Sequence, residues 1–198
     1  MKIVKIFLIG ILAIIILLVS YFTIRYFTWR NTFFNDSENT TCTNDEDYEQ
    51  EDINIFDRIE NFVLSKDRTE FMTFTRKELL FVLRDSFKDN DTLKIQDMCL
   101  SSQRGMWRVY MHPKIEFLQL PWIGVDIMKD EMQTAEVYSR GMYVGDMKVP
   151  TSIAKKSIEQ VNRGISDALI LVTENGFLGK TIRNIDLLKD SIVIKGGF

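Results

Sequence analysis

The chain has one histidine, His112, at the end of the alternating run Trp107-Arg108-Val109-Tyr110-Met111-His112 and directly before Pro113. An imidazole is the side chain best suited to proton transfer near neutrality, but no second histidine accompanies it and no nucleophile stands at a recognisable spacing. Asp126, Asp130 and Glu131 could gather carboxylates for acid–base or metal chemistry, yet Lys129 intervenes and a polar turn accounts for all of them. In "FTRKEL", Thr75 and Glu78 have the spacing of a capping box, with Phe74 and Leu79 placed as a hydrophobic staple, and capping explains both polar residues without catalysis. Cys42 and Cys99 belong to no CxxC pair, and with a single histidine they fall short of a zinc site. The expectation is free thiols, because a bridge would tie an acidic linker to the core. No GxSxG elbow, P-loop, HExxH or dinucleotide fingerprint appears in a supporting context. The residues therefore predict a non-enzymatic protein with no catalytic residue, metal or cofactor.

The elements around these residues begin with a membrane segment. "IFLIGILAIIILLVSYFTI", Ile6 to Ile24, is 19 residues without a charge, and at about 1.5 Å per residue it matches a hydrocarbon core of about 30 Å. Tyr21, Tyr26 and Trp29 cluster where the chain emerges, as interfacial aromatic residues do. Lys2 and Lys5 precede the span, while Arg25 and Arg30 give way to an acidic run. Residues 1–5 are accordingly read as cytoplasmic, 6–24 as an uncleaved transmembrane helix in contact with the lipid bilayer, and the remainder of the chain as extracytoplasmic. A signal peptide shares the basic start, but this run exceeds a usual h-region and no Ala-x-Ala-like site closes it.

Between Asp36 and Asp52 there are 8 acidic residues and no basic one, whereas Ile53 to Phe198 carries 21 Lys or Arg against 20 Asp or Glu. Residues 25–52 are read as a juxtamembrane segment and a flexible acidic linker, too poor in large apolar side chains to bury surface. A domain this close to neutral lacks the basic stripe that phosphate binding needs, which argues against nucleic acid as a partner. Residues 53–198 are read as one α+β domain, a curved antiparallel sheet packed against helices. Ile55, Phe56, Ile59, Phe62 and Val63 fall on one helical face at three- and four-residue spacings. From Leu93 to Val149 the period falls towards 2, with Pro113 and Pro121 consigned to edges, bulges or turns. Ala154, Ile158, Val161, Ile165, Ala168 and Val172 make an apolar stripe on a long helix entered at Pro150 and ended at Asn175-Gly176. Asn162 lies beside that stripe and is read as a flank or structural residue. A final hairpin turns at Lys189-Asp190-Ser191.

"FTRKELLFVL" and "GDMKVPTSIAKKSI" resemble the Phe-Thr-x-x-x-Leu helix start and the Gly-x-x-x-Leu-Pro strand-to-helix junction of the YpmS-like proteins of low-GC Gram-positive bacteria, and "IRNIDLLKDSIVIKGG" is similar to an isoleucine-rich closing hairpin of envelope proteins. The resemblance implies one N-terminal span and an extracytoplasmic domain, and brings no catalytic residues. Two functions are expected from these readings. In the first, Trp107, Phe117, Trp122 and Met142 line a concavity that binds a lipid or other apolar ligand beside the membrane. In the second, the domain is an accessory or scaffold that binds another envelope protein.

Overall fold

A computed structural model describes residues 2–36, 38–42, 54–67, 70–85, 94–116, 118–129, 135–175 and 181–197. Helix α1, Lys2–Asn35, is 34 residues long. Its length of about 51 Å exceeds the thickness of a bilayer core by about 20 Å. No protein covers its apolar stretch, and it is long and apolar enough to cross a membrane. Strand β1 (Thr40–Cys42), helix α2 (Asn54–Leu64), strand β2 (Phe71–Thr75) and helix α3 (Arg76–Asp85) come next. The chain then forms strands β3 (Lys94–Gln103), β4 (Met106–Ile115), β5 (Leu118–Gln119), β6 (Ile123–Lys129), β7 (Val137–Tyr138), β8 (Met142–Val144) and β9 (Met147–Lys148). Helix α4 (Thr151–Asn175) and the hairpin β10 (Thr181–Leu187) and β11 (Ser191–Gly197) complete the α+β domain.

The strands form two antiparallel sheets where the sequence suggests one curved sheet. The larger runs β1-β3-β4-β6-β8-β9, with β5 on β4 and β7 on β6, and the smaller runs β10-β11-β2. The core lies between them: Met98, Leu100, Trp107 and Val109 of the larger sheet meet Ile185, Leu187 and Ile192 of the smaller, with Leu80 of α3 among them. Trp107 holds the two sheets together through polarity as well as area, since its indole Nε1–H donates to Leu188 O at 2.6 Å and its cross-strand neighbour Ser102 donates through Oγ to Lys189 O at 2.5 Å. Pro113 faces Ile95 where the β3–β4 register slips, so its missing N–H falls at a bulge as the sequence requires. The second cluster packs Ile55 and Phe62 of α2 on Met72 and Phe74 of β2 and Phe81 of α3.

Two local readings hold at atomic level. Thr75 N–H donates to Glu78 Oε2 at 2.7 Å and Glu78 N–H to Thr75 Oγ1 at 3.2 Å, closing the capping box of α3. Burial works against the charged Glu78 carboxylate, but the Thr75 N–H and the paired Arg58 guanidinium outweigh it and hold its pKa below the ordinary value of 4.5. A depressed carboxyl pKa contributes stability that is present above the unfolded value and lost as pH falls through the folded one. Glu78→Gln is expected to cost about 1 kcal/mol at pH 7, and urea titrations at pH 7 and pH 3 should show the gap between variant and parent closing at the lower pH. A constant gap would mean that Glu78 acts by shape alone. The second reading concerns Asn162, which is structural: its Oδ1 accepts from Ser139 N at 2.6 Å while its Nδ2 donates to Ser139 O at 3.1 Å, binding α4 to the segment between β7 and β8. Along the apolar stripe of α4, Ala154 is buried and Ile158, Val161 and Ile165 are half-buried.

Candidate functional site

Aromatic residues on one face of α1 lie against the outer face of the larger sheet. Alternation along β4 places Trp107 and Val109 inward and Arg108, Tyr110 and His112 outward, and it is this outward face that receives the helix. Trp29 and Phe33 flank Tyr110, at ring-centroid distances of 5.2 and 4.6 Å, and Phe34 meets Trp122 edge-on at 5.4 Å. The Tyr26 hydroxyl accepts from Trp122 N at 3.1 Å. Gly145 has φ +62°, and a Cβ there would come within 2.8 Å of the Trp29 ring, so glycine serves both the turn and the close approach of the helix. One residue beyond, Asp146 accepts from Arg25 at 3.2 Å, just past the end of the apolar run.

The chain after α1 is bound to the domain as well. Strand β1 pairs with β3, placing Thr40 opposite Ser101 and Cys42 opposite Cys99, and Cys42 and Cys99 form a disulfide. The expectation of free thiols is thereby corrected. The reason is positional: β1 lays Cys42 directly across from a fully buried Cys99, where two thiols are within bonding reach. The flexible linker read from Asp36 onward is corrected over the same stretch. Glu38 O accepts from Arg76 and the Glu38 carboxylate pairs with Lys189, so Glu38 to Cys42 belong to the fold; residues 43–53 lie outside the described residues.

Beneath the helix runs a charged network. Arg108 Nε donates to Asp126 Oδ1 at 2.5 Å, Tyr143 OH donates to Asp126 Oδ2 at 2.7 Å, and the guanidinium sits 3.7 Å over the Tyr143 ring. Asp126 is 3% exposed, and Arg108 supplies the partner without which a buried carboxylate would be costly. Burial pushes both the Tyr110 and the Tyr143 phenol up, and Asp126 adds to this for Tyr143, so both remain neutral at physiological pH, Tyr143 donating to Asp126 and Tyr110 accepting from Arg108 Nη1 at 3.3 Å. Desolvation opposes the Arg108 charge, but Tyr110 and Asp126 outweigh it and raise its pKa. Gly124 is where Tyr110 crosses the neighbouring strand, since a Cβ there would come within 2.7 Å of its ring. Both carboxylate oxygens of Asp126 are engaged, one by Arg108 and one by Tyr143, and the network serves to position the strands beneath α1.

Of the residues expected to line a ligand cavity, Trp107 and Trp122 lie on opposite faces of the larger sheet. Trp107 is wholly inside the core between the sheets, whereas Trp122 lies on the opposite face in the cluster with Phe33, Tyr110 and Cys99. Met142 pairs with Val125 and is half-buried, and Phe117 lies outside the described residues, as do Asp130 and Glu131. His112 stacks on Trp122 at 4.7 Å, with Nδ1 at 3.3 Å from Asp97 Oδ2 and 3.5 Å from Gln119 Nε2. The Asp97 and Gln119 contacts fix the imidazole against the Trp122 indole. The residues that sequence reasoning missed are on α1: Tyr26, Trp29 and Phe33, three and four apart, form one helical face, a signal hidden because the first two also suit a membrane interface. No family model, curated protein or solved structure matches the chain, and a functional reading rests on this geometry.

Proposed function

We propose that the chain is a single-pass protein of the cell membrane, with its N-terminus cytoplasmic and a non-enzymatic α+β domain outside, acting as an accessory or scaffold for another envelope protein. The observation that carries this reading is the seating of α1 on the sheet, with β1 and the Cys42–Cys99 bridge behind it. A domain fixed to its own span presents its surface at one height and in one orientation to proteins in the same membrane. The disulfide supports an oxidising, extracytoplasmic location, and Lys2 and Lys5 before the span support an inside N-terminus. The resemblance to YpmS-like proteins supports the same topology. The alternative reading, a pocket for a lipid chain, is weaker because Trp107 fills the core and Trp122 is covered by α1. A photo-reactive residue in place of the exposed Leu118, introduced in cells, is expected to give a discrete cross-link to another membrane protein, and externally added protease should digest the domain. Saturable binding of acyl ligands by the purified chain, without any protein cross-link, would favour the pocket instead.

A further inference from the structure

The order of contacts along α1 gives the domain a side that faces the bilayer. Arg25 meets Asp146 in the β8–β9 turn, Tyr26 and Trp29 meet Gly145, Trp29 also meets Tyr110 on β4, and Phe33 lies in the cluster with Cys99 on β3. Successive helix residues therefore pass from β8 over β6 and β4 to β3. Arg25 to Phe33 is a rise of about 12 Å, and three strand spacings are about 14 Å. The helix crosses the strands, so β9, the outermost strand beyond β8, is the sheet edge nearest the apolar run that ends at Ile24. From β9 the chain enters α4 through Val149 and Pro150.

The surface at this edge combines positive charge with an exposed apolar side chain. Ile153, in the first turn of α4, is 73% exposed, and Lys148, Lys155 and Lys156 around it are exposed too. Arg25 adds a fourth cation. The facing carboxylates are Asp146, held by Arg25 at 3.2 Å, and Glu159, 3.9 Å from Lys155. Cations thus outnumber carboxylates on a surface carrying a bare isoleucine, the combination that suits an anionic membrane interface.

We propose that the β9–α4 junction, Lys148 to Lys156, rests on anionic headgroups of the same bilayer that α1 crosses, with Ile153 inserted at the boundary between headgroups and acyl chains. The proposal rests on α1 being the span. The full chain, with its disulfide intact, would be labelled with a fluorophore at Ile153→Cys, Ile15→Cys or Asp167→Cys and reconstituted in vesicles of two parts phosphatidylcholine to one part phosphatidylglycerol. Nitroxide lipids with the quencher near the headgroup are expected to quench position 153 about threefold more than position 167, which lies about 21 Å further along α4. Vesicles of phosphatidylcholine alone, or Lys148→Gln, Lys155→Gln and Lys156→Gln together, should bring position 153 down to the level of 167. Quenching at 153 no greater than at 167, with position 15 quenched by acyl-chain nitroxides, would overturn the proposal while leaving the span in place. No quenching at position 15 would overturn the span and the proposal with it, and quenching at 153 that ignores both lipid charge and the lysines would overturn the role of anionic headgroups.

Discussion

Replacing Trp107 by alanine is expected to destabilise the domain by about 3–5 kcal/mol, the cost of emptying the largest side chain of a packed core. Trp107 is 0% exposed and lies between Leu100 and Val109 of one sheet and Ile185 and Leu187 of the other. Its indole also donates to Leu188 O, so Trp107→Phe is expected to lose the bond that anchors the closing hairpin, costing about 1–3 kcal/mol beyond the change in volume. Trp122 offers the control. Its Nε1 is buried without a hydrogen-bond partner among the described residues, so Trp122→Phe removes area and breaks no side-chain bond. Equal losses for the two phenylalanine variants in urea unfolding would show that the Leu188 contact contributes nothing.

Removing the disulfide is expected to have an effect of similar size. The bridge closes 57 residues of chain, and loop-closure entropy alone gives about 4 kcal/mol for such a loop. Beyond the loss of stability, Cys42→Ser with Cys99→Ser should loosen β1 from β3 and expose the Phe33 and Tyr110 rings that pack beside Cys99. Urea unfolding of the full chain in detergent, compared with and without reductant, measures the first effect, and hydrogen exchange at Thr41 and Leu100, which face each other in the ladder, measures the second. An unchanged midpoint on reduction would mean that the bridge adds nothing to stability.

The parts legible in the sequence are those governed by neighbouring residues. The apolar run of α1, the Thr75–Glu78 capping box, the alternation of β4 and β6 and the Pro150-to-Asn175 extent of α4 all arise from periodicity and local hydrogen bonding. Strand β1 is illegible because three residues, Thr-Thr-Cys, inside an acidic polar run have no periodicity; their partner is β3, and only the non-local ladder and the Cys42–Cys99 bond define them. Strand β2, Phe71–Thr75, reads locally as the approach to a helix cap, and its pairing with β11 makes a second sheet that no local pattern announces. The same reason separates Trp107 from Trp122. Both are large apolar residues of the strand region, and only the pairing of the strands sends one into the core and the other to the face beneath α1. The charged pair Arg108 and Asp126 is likewise visible as two polar positions and becomes a unit through the register that sets them side by side.

Helix α1, seated on the sheet through Tyr26, Trp29 and Phe33, should move with the domain as one rigid piece, which interspin distances measure. Nitroxides at the exposed positions Asn31 and Arg104, placed by Asn31→Cys and Arg104→Cys in the full chain with its native disulfide and reconstituted in bilayer nanodiscs, report the helix against the β3–β4 turn. A single narrow distance distribution is expected, broadening when Trp29 is replaced by alanine. A broad distribution in the parent, of the width a flexible tether would give, would contradict it.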